Sequence, residues 1–144
     1  MTVVCMLIIA ALLAAADQLI KLWAVKELAG GASEEFIKIA GKEIVNLTYT
    51  ENTGAAFSMM SGKKWFTIGF ATVALIVFVV YMIKNYRNSK LAMIFSAMVV
   101  GGGIGNLIDR VRIGYVVDYI EVRIFRFAIF NFADICVTVG IIIL

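Results

Sequence analysis

The sequence contains no histidine and no proline, and it has only two cysteines, Cys5 and Cys136. Without histidine there can be no histidine-liganded metal site and no Ser-His or Cys-His catalytic pair. Each cysteine lies inside an apolar run and the two form no CxxC motif, so both are expected to be small buried hydrophobic residues without a disulfide. We therefore expect no metal and no other cofactor.

Polar character is scarce as well, because 62% of the 144 residues are hydrophobic and the mean hydropathy is +0.98. A soluble domain has roughly 45–50% apolar residues. The excess in so short a chain indicates a lipid environment. The net charge of +3 fits loops that face anionic lipid better than a nucleic-acid surface. The expected partners are therefore membrane lipids and not nucleic acid.

Four segments are apolar enough to be membrane spans, each of which needs about 20 residues. They cover about residues 3–23, 65–83, 91–108 and 127–144. The first span includes Asp17 and Lys21 and continues past the small-residue stretch AALLAAAD, which predicts a retained helix and not a cleaved signal peptide. The fourth is barely long enough, so we expect its helix to continue beyond Leu144.

The first loop, about residues 24–64, is too long to be a simple connector. Its stretch EFIKIAGKEIVNLTYT alternates polar and apolar residues around Gly41, which predicts short strands. The fold class predicted is an all-α integral membrane protein, with four transmembrane helices and a small β-containing cap, forming a single domain over residues 1–144. Charge leaves the orientation open, because the short loop KNYRNSK and the two other loops favour opposite directions.

An Asn-x-x-Asp pattern occurs twice in the apolar sequence. Asn106 and Asp109 end the third span, and Asn131 and Asp134 begin the fourth. Residues at i and i+3 share one face of a helix, and the ends of consecutive spans lie on the same side of the membrane. Asp118 lies between them in GYVVDYIEV. Three aspartates and two asparagines are therefore predicted to gather near one membrane interface.

Ionisable residues in membrane segments are costly and usually mark a function. Two close carboxylates in a medium of low dielectric can share a single proton. One can then activate water as a general base while the other donates a proton to a scissile carbonyl oxygen, which is the chemistry of an aspartic protease. The pair that fits this chemistry is Asp118 and Asp134.

Structural explanations weigh about equally at this stage. Asp17 and Lys21 have the spacing of a helical ion pair. Asp109 is more easily explained by a bond to neighbouring backbone or to an arginine than by catalysis, and Asp134 could simply favour a helix dipole. The leading alternative function is a proton-coupled carrier, which predicts acidic residues near mid-span. A structural membrane subunit would explain the helices but not the repeated pattern.

Five motifs in order resemble those of the lipoprotein signal peptidases, or signal peptidase II, which are bacterial intramembrane aspartic proteases. The motifs are DQLIK from Asp17, NLTYTENTGAAFS with Asn52, Gly54, Ala56 and Phe57, GGGIGNLIDR with Gly102, VVDYI with Asp118, and FNFAD ending at Asp134. One departure is the absence of the proline that many members have just before the FN stretch.

The resemblance implies a role for each motif residue. The catalytic residues would be Asp118 and Asp134. The substrate-binding residues would be Asn52, Asn106, Arg110 and Asn131, and the structural residues Asp17, Lys21, Gly54, Gly102 and Asp109. It also implies both termini in the cytoplasm of a bacterium, with the cap and the active site at the extracytoplasmic face of the cell membrane.

The resemblance implies a substrate as well. This would be a prolipoprotein whose lipobox cysteine already carries a diacylglyceryl group, with the cut just before that cysteine releasing the signal peptide. The acyl chains would lie between helices against apolar side chains. Inhibition by cyclic peptides of the globomycin type is expected.

Overall fold

The computed structural model describes residues 3–31, 33–54, 64–86, 88–124 and 128–144. Within these residues it contains, in chain order, a helix, two strands, two helices, a strand and a helix. Helix α1 is Val3–Leu28, α2 is Lys64–Tyr86, α3 is Lys90–Arg112 and α4 is Phe132–Ile143; strand β1 is Glu34–Ile39, β2 is Lys42–Asn52 and β3 is Val116–Val122.

Within the described residues three helices, α1, α2 and α3, are long and apolar enough to cross a membrane. The prediction of four spans is therefore confirmed only in part. Helix α4 is apolar but has 12 residues, which makes it about 18 Å long against a hydrocarbon core of about 30 Å. Its predicted start at residue 127 was also too early, because Asn131 is the N-cap that begins the helix.

Helix α3 lies at the centre and packs against the other three helices. Three consecutive glycines allow this. A Cβ on Gly101 would lie 2.8 Å from the Ala10 carbonyl oxygen of α1, one on Gly102 would overlap the Ala133 carbonyl oxygen of α4, and one on Gly103 would lie 2.6 Å from Leu75 of α2. Because successive residues of a helix point about 100° apart, each glycine admits a different neighbour.

The cap is a three-stranded antiparallel sheet in the order β1-β2-β3. Strands β1 and β2 form the hairpin predicted around Gly41, where Ala40 and Gly41 both have positive φ as a two-residue type I′ turn requires. The sequence placed the whole cap in the first loop, but β3 comes from the connection between α3 and α4. The sheet packs on the end of α1 through a cluster that contains Leu28, Val117 and Tyr119.

Candidate active site

The first turn of α4 places Asp134. Asn131 caps the helix, since its side-chain Oδ1 accepts from the Asp134 backbone N–H at 2.9 Å while the Asp134 carboxylate accepts from the Asn131 N–H at 3.1 Å. The other free N–H groups of this turn are also bonded to side chains. Phe132 donates to the Tyr119 hydroxyl at 3.2 Å and Ala133 donates to Asp17 at 3.1 Å. Side chains from α1, β3 and α4 itself thus fix this helix end.

Asn131 also joins the two candidate catalytic aspartates. Its side-chain Nδ2 donates to Asp118 Oδ1 at 2.6 Å, and its backbone N–H bonds Asp134. Asp118 is on β3, 13 residues away in sequence from Asn131, and only 2% of its surface is exposed. The structure therefore brings Asp118 and Asp134 into one site, as the sequence predicted.

All four oxygens of the two aspartates accept hydrogen bonds. Besides the two bonds from Asn131, Asn52 Nδ2 donates to Asp118 Oδ2 at 2.9 Å and Asn106 Nδ2 donates to Asp134 Oδ1 at 2.8 Å. Asn52 is held in turn by the Gly54 N–H, which donates to its Oδ1 at 3.1 Å. Each of the three asparagines that were predicted to bind substrate directs an amide donor at one of these carboxylates.

The surroundings of Asp118 disfavour its charged form. Burial raises the pKa of Asp118 to about 6, since a buried carboxylate loses the solvation that stabilises it. The hydrogen bond from Asn52 acts in the opposite direction, while the charge of nearby Asp134 raises the pKa further. A carboxyl group with a pKa near neutrality can both hold and release a proton under ordinary conditions.

A second group of carboxylates lies beside the first, around a buried lysine. Lys21 Nζ is 2.9 Å from both Asp17 and Asp109 and donates to Asn106 Oδ1 at 2.8 Å. The predicted Asp17–Lys21 pair is present. The predicted alternative of an arginine partner for Asp109 is not seen among the described residues, where its partners are Lys21, the Val117 backbone N–H and Gln18.

Arg110 is half-buried and donates to the carbonyl oxygen of Asn106 at 3.3 Å. Within the described segments it forms no ion pair. Its guanidinium group has five donors, so it retains donors for another acceptor. Of the four residues predicted to bind substrate, Arg110 is the one whose donors are not directed at an aspartate.

Sequence reasoning missed two contributors. Gln18 lies in the DQLIK motif, and its amide donates to Asp109 at 2.8 Å and to the Gly105 carbonyl oxygen at 3.2 Å. Tyr119 was given no role, although it follows Asp118 directly. Alternation on a strand would have assigned it to the opposite face from Asp118, but the strand itself was not predicted. Ala56 and Phe57, quoted in the second motif, lie outside the described residues.

An apolar groove adjoins the aspartates. A cavity of about 220 Å³ is lined by Asp134 together with Phe130, Ile135, Thr138 and Val139. The site thus combines a pair of hydrogen-bonded carboxylates, amide donors and an adjacent apolar surface at the end of membrane-length helices. This arrangement can hold an apolar substrate and activate water beside it.

The fold and the site define a class, that of a membrane protein with two hydrogen-bonded aspartates paired in one site. The family model of signal peptidase (SPase) II matches residues 9–144. The chain belongs to the signal peptidase II family, membrane aspartic proteases that remove signal peptides from prolipoproteins.

Individual relatives agree with this assignment. The chain is 42% identical over 137 residues to a lipoprotein signal peptidase of Streptococcus agalactiae, covering 95% of this chain and 86% of the relative. It is 42% identical over 137 residues to one of Streptococcus pyogenes, covering 92% and 85%. A bacterial membrane enzyme solved by the in meso method at 2.3 Å resolution superposes with a TM-score of 0.83 at 32% identity, covering 96% of this chain and 83% of that chain.

Proposed function

We propose that this chain cleaves diacylglyceryl-modified prolipoproteins just before the lipidated cysteine, with Asp118 and Asp134 as its catalytic pair. The observation that carries the proposal is the bonding of Asn131 to both aspartates, at 2.6 and 3.1 Å. One carboxylate takes a proton from water, and the other gives a proton to the scissile carbonyl oxygen. Arg110 holds a carbonyl oxygen of the substrate backbone.

The asparagines serve the pair and the substrate together. In the free enzyme the amides of Asn52, Asn106 and Asn131 donate to the aspartates. A bound peptide completes this set of polar contacts with its own N–H and C=O groups. A cyclic peptide of the globomycin type would inhibit by occupying the space between Asp118 and Asp134, where the scissile bond would otherwise lie.

The lipid on the substrate acts by positioning. Each buried CH₂ contributes roughly 0.8 kcal/mol to membrane anchoring, but the free substrate is already anchored, so little of this energy is gained on binding the enzyme. Holding the scissile bond at the depth of the aspartates can lower the barrier by several kcal/mol, of the order of the orientation effects known for catalysis. The groove beside Asp134 is apolar enough to take part of the lipid or of the signal peptide.

The test is cleavage by purified enzyme in detergent, with a lipidated and an unlipidated form of the same prolipoprotein. We expect the lipidated form to be cut just before its cysteine, as read by mass spectrometry of both products. The unlipidated form should be cut far more slowly even at saturating concentration. Equal rates would overturn the positioning argument while leaving the aspartic mechanism intact.

The proposed orientation puts both termini in the cytoplasm and the sheet and the aspartates at the extracytoplasmic face. Single cysteines at Lys38 of the cap and at Asn88 between α2 and α3 test this, in a background with Cys5 and Cys136 replaced by alanine. A membrane-impermeant maleimide applied to intact cells should label position 38 and not position 88. The reverse labelling would show the opposite orientation.

A further inference from the structure

The side-chain amide of Asn106 has two ends, an oxygen and an NH₂ group, that differ chemically but have nearly the same shape. Its Oδ1 can only accept hydrogen bonds and its Nδ2 can only donate them, so neighbouring groups decide which end faces which partner. A donor to Asp134 is needed on one side, and a reversed amide would place an oxygen against that carboxylate. Something must therefore hold the amide in the productive direction.

Lys21 makes the shortest contact in this hold, at 2.8 Å, and Asn131 Nδ2 donates to the same Asn106 Oδ1 at 3.1 Å. An ammonium group has three donors and no acceptor, and the three short contacts of Lys21 Nζ are to Asp17, Asp109 and Asn106 Oδ1, at 2.9, 2.9 and 2.8 Å. Because the lysine is 3% exposed, a reversed amide would direct two donors at each other in a buried place, which is costly. The Asn106 oxygen therefore faces Lys21, and its Nδ2 faces Asp134 at 2.8 Å.

A second connection runs from Lys21 to the same helix end. Asp17, paired with Lys21 through Oδ2, accepts through Oδ1 from the Ala133 N–H, one residue before Asp134. One route thus ends on the Asp134 carboxylate and the other on the backbone beside it. Among the described residues Lys21 forms no hydrogen bond to Asp118 or Asp134, so its contacts reach them through these neighbours, and its charge also acts on Asp118 through space, where it opposes the rise in pKa that burial causes.

We infer that Lys21 is a positioning residue for peptide hydrolysis, because it fixes the Asn106 amide so that Asn106 donates to Asp134. The inference rests on the proposed catalytic role of the two aspartates. It goes beyond a structural ion pair with Asp17, since it predicts an effect on turnover that depends on Asn106.

The test is a double-mutant cycle of Lys21→Met and Asn106→Ala, measured as kcat and KM with a lipidated substrate. Each single variant should lower kcat by about 10²-fold with KM changed less than about threefold, as expected for loss of an interaction that acts in the transition state. In the Asn106→Ala background, Lys21→Met should lower kcat by less than about threefold more, because the residue through which it acts is already gone. Lys21→Arg, which keeps the donors, should recover part of kcat.

The matched control is Lys26→Met, the same substitution on the same helix at a side chain that is 82% exposed. It should leave kcat and KM unchanged. If Lys21→Met does not fold, Lys21→Gln takes its place in the cycle. The shorter amide of glutamine can still donate a hydrogen bond, so the expected loss in kcat is smaller.

The inference is overturned if the fold losses in kcat of the two single variants multiply in the double variant. An unchanged kcat in Lys21→Met would also overturn it. Failure of both Lys21 variants to fold would also overturn it, because the lysine would then be required for the fold itself. Asp134→Asn is measured alongside. If that variant stays active, the proposed function fails, whereas an inactive Asp134→Asn with multiplying losses defeats only the inference about Lys21.

Discussion

Two groups of carboxylates lie side by side in this protein, and they differ in their hydrogen-bond donors. Asp17 and Asp109 share the ammonium group of Lys21. Asp118 and Asp134 accept from the neutral amides of three asparagines and a backbone N–H, and within the described segments neither forms an ion pair. The first group thus has a cation as its common partner, whereas the partners of the second group are neutral donors.

The largest fall in kcat is expected when the second group, Asp118 and Asp134, is altered. Asp118→Asn and Asp134→Asn should each lower kcat by at least about 10³-fold, and the double variant should be little worse than either, because members of one catalytic unit are strongly non-additive. The measurement is single-turnover cleavage of a lipidated prolipoprotein, with melting in detergent as the control for folding. Substantial activity in either single variant would remove that aspartate from the catalytic pair.

Gly102→Ala tests the packing that holds the second group in place. The added Cβ would overlap the Ala133 carbonyl oxygen, so α4 must shift, and we expect a loss of about 1–3 kcal/mol in stability and of about 10–100-fold in kcat. The control is Gly69→Ala on α2, where a Cβ meets nothing within 4 Å. Equal behaviour of the two variants would show that the close contact of α3 and α4 is unimportant.

Asp109→Asn tests the first group of carboxylates, Asp17 and Asp109. Lys21 would keep Asp17 but lose one of its two charged partners, and we expect a loss of about 1–3 kcal/mol in stability. The fall in kcat should be smaller than that of Asp134→Asn. Glu27→Gln, which removes a surface ion pair with Lys26, should change stability by less than about 1 kcal/mol. A stable Asp109→Asn variant without single-turnover cleavage would place Asp109 in the chemistry.

The second group should also give the protein a dependence on pH. Because the pKa of Asp118 is raised to about 6 in the folded protein, the folded state binds a proton more tightly than the unfolded chain. This stabilisation is complete below about pH 4 and is lost as the pH rises through about 6. The Tm of the wild type in detergent should fall over this interval, and Asp118→Asn should flatten the fall. Glu34→Gln, at an exposed carboxylate, should leave the curve unchanged; the same flattening there would contradict the assignment.

Tyr119→Phe should have the smallest effect. It removes the hydroxyl that accepts from the Phe132 N–H and leaves the ring in its cluster, so we expect about 1 kcal/mol in stability and a fall in kcat of a few-fold. The control is Tyr49→Phe, on the same sheet, whose hydroxyl bonds Glu51 and Tyr115 and no α4 residue in the described part of the chain. An unchanged Tyr119→Phe enzyme would show that the remaining caps suffice to place Asp134.

Local pattern was sufficient to predict the long helices and the hairpin. The spans predicted at about 65–83 and 91–108 are α2 and α3 with their ends extended by polar residues. Helix α1 runs on to Leu28, with Lys26 and Glu27 exposed and Leu28 buried against the sheet. Strand β3 was missed because its seven residues pair mainly with distant β2, apart from a bridge to Phe130, and carry little signal of their own. Helix α4 proved shorter than the apolar run that contains it. Asn131 caps the helix, so the helix begins at Phe132 although the residues before the cap are apolar.

The site residues were found with the help of motifs, whereas their contacts were not predictable. Nothing in the sequence indicates that Asp17 bonds the Ala133 N–H, because the two are 116 residues apart. Likewise, the spacing of Asp17 and Lys21 predicted an ion pair between them, but nothing in the sequence indicated the bond from Lys21 to Asn106. Such contacts depend on how α1 and α4 meet across α3, which is a property of the packed helices and not of any one segment.

The bonds at the start of α4 have a consequence for the order of events in biosynthesis. The partners of its first turn are contributed by residues 17, 119 and 131, and Asp134 follows all of them in the chain. A nascent protein that ends before Asn131 has Asp118 but neither Asn131 nor Asp134, so it cannot hydrolyse a peptide bond in the way proposed. On the proposed assignment of the two aspartates, proteolytic competence arises only after the preceding helices and the sheet have been made, and no cleavage is expected before that point.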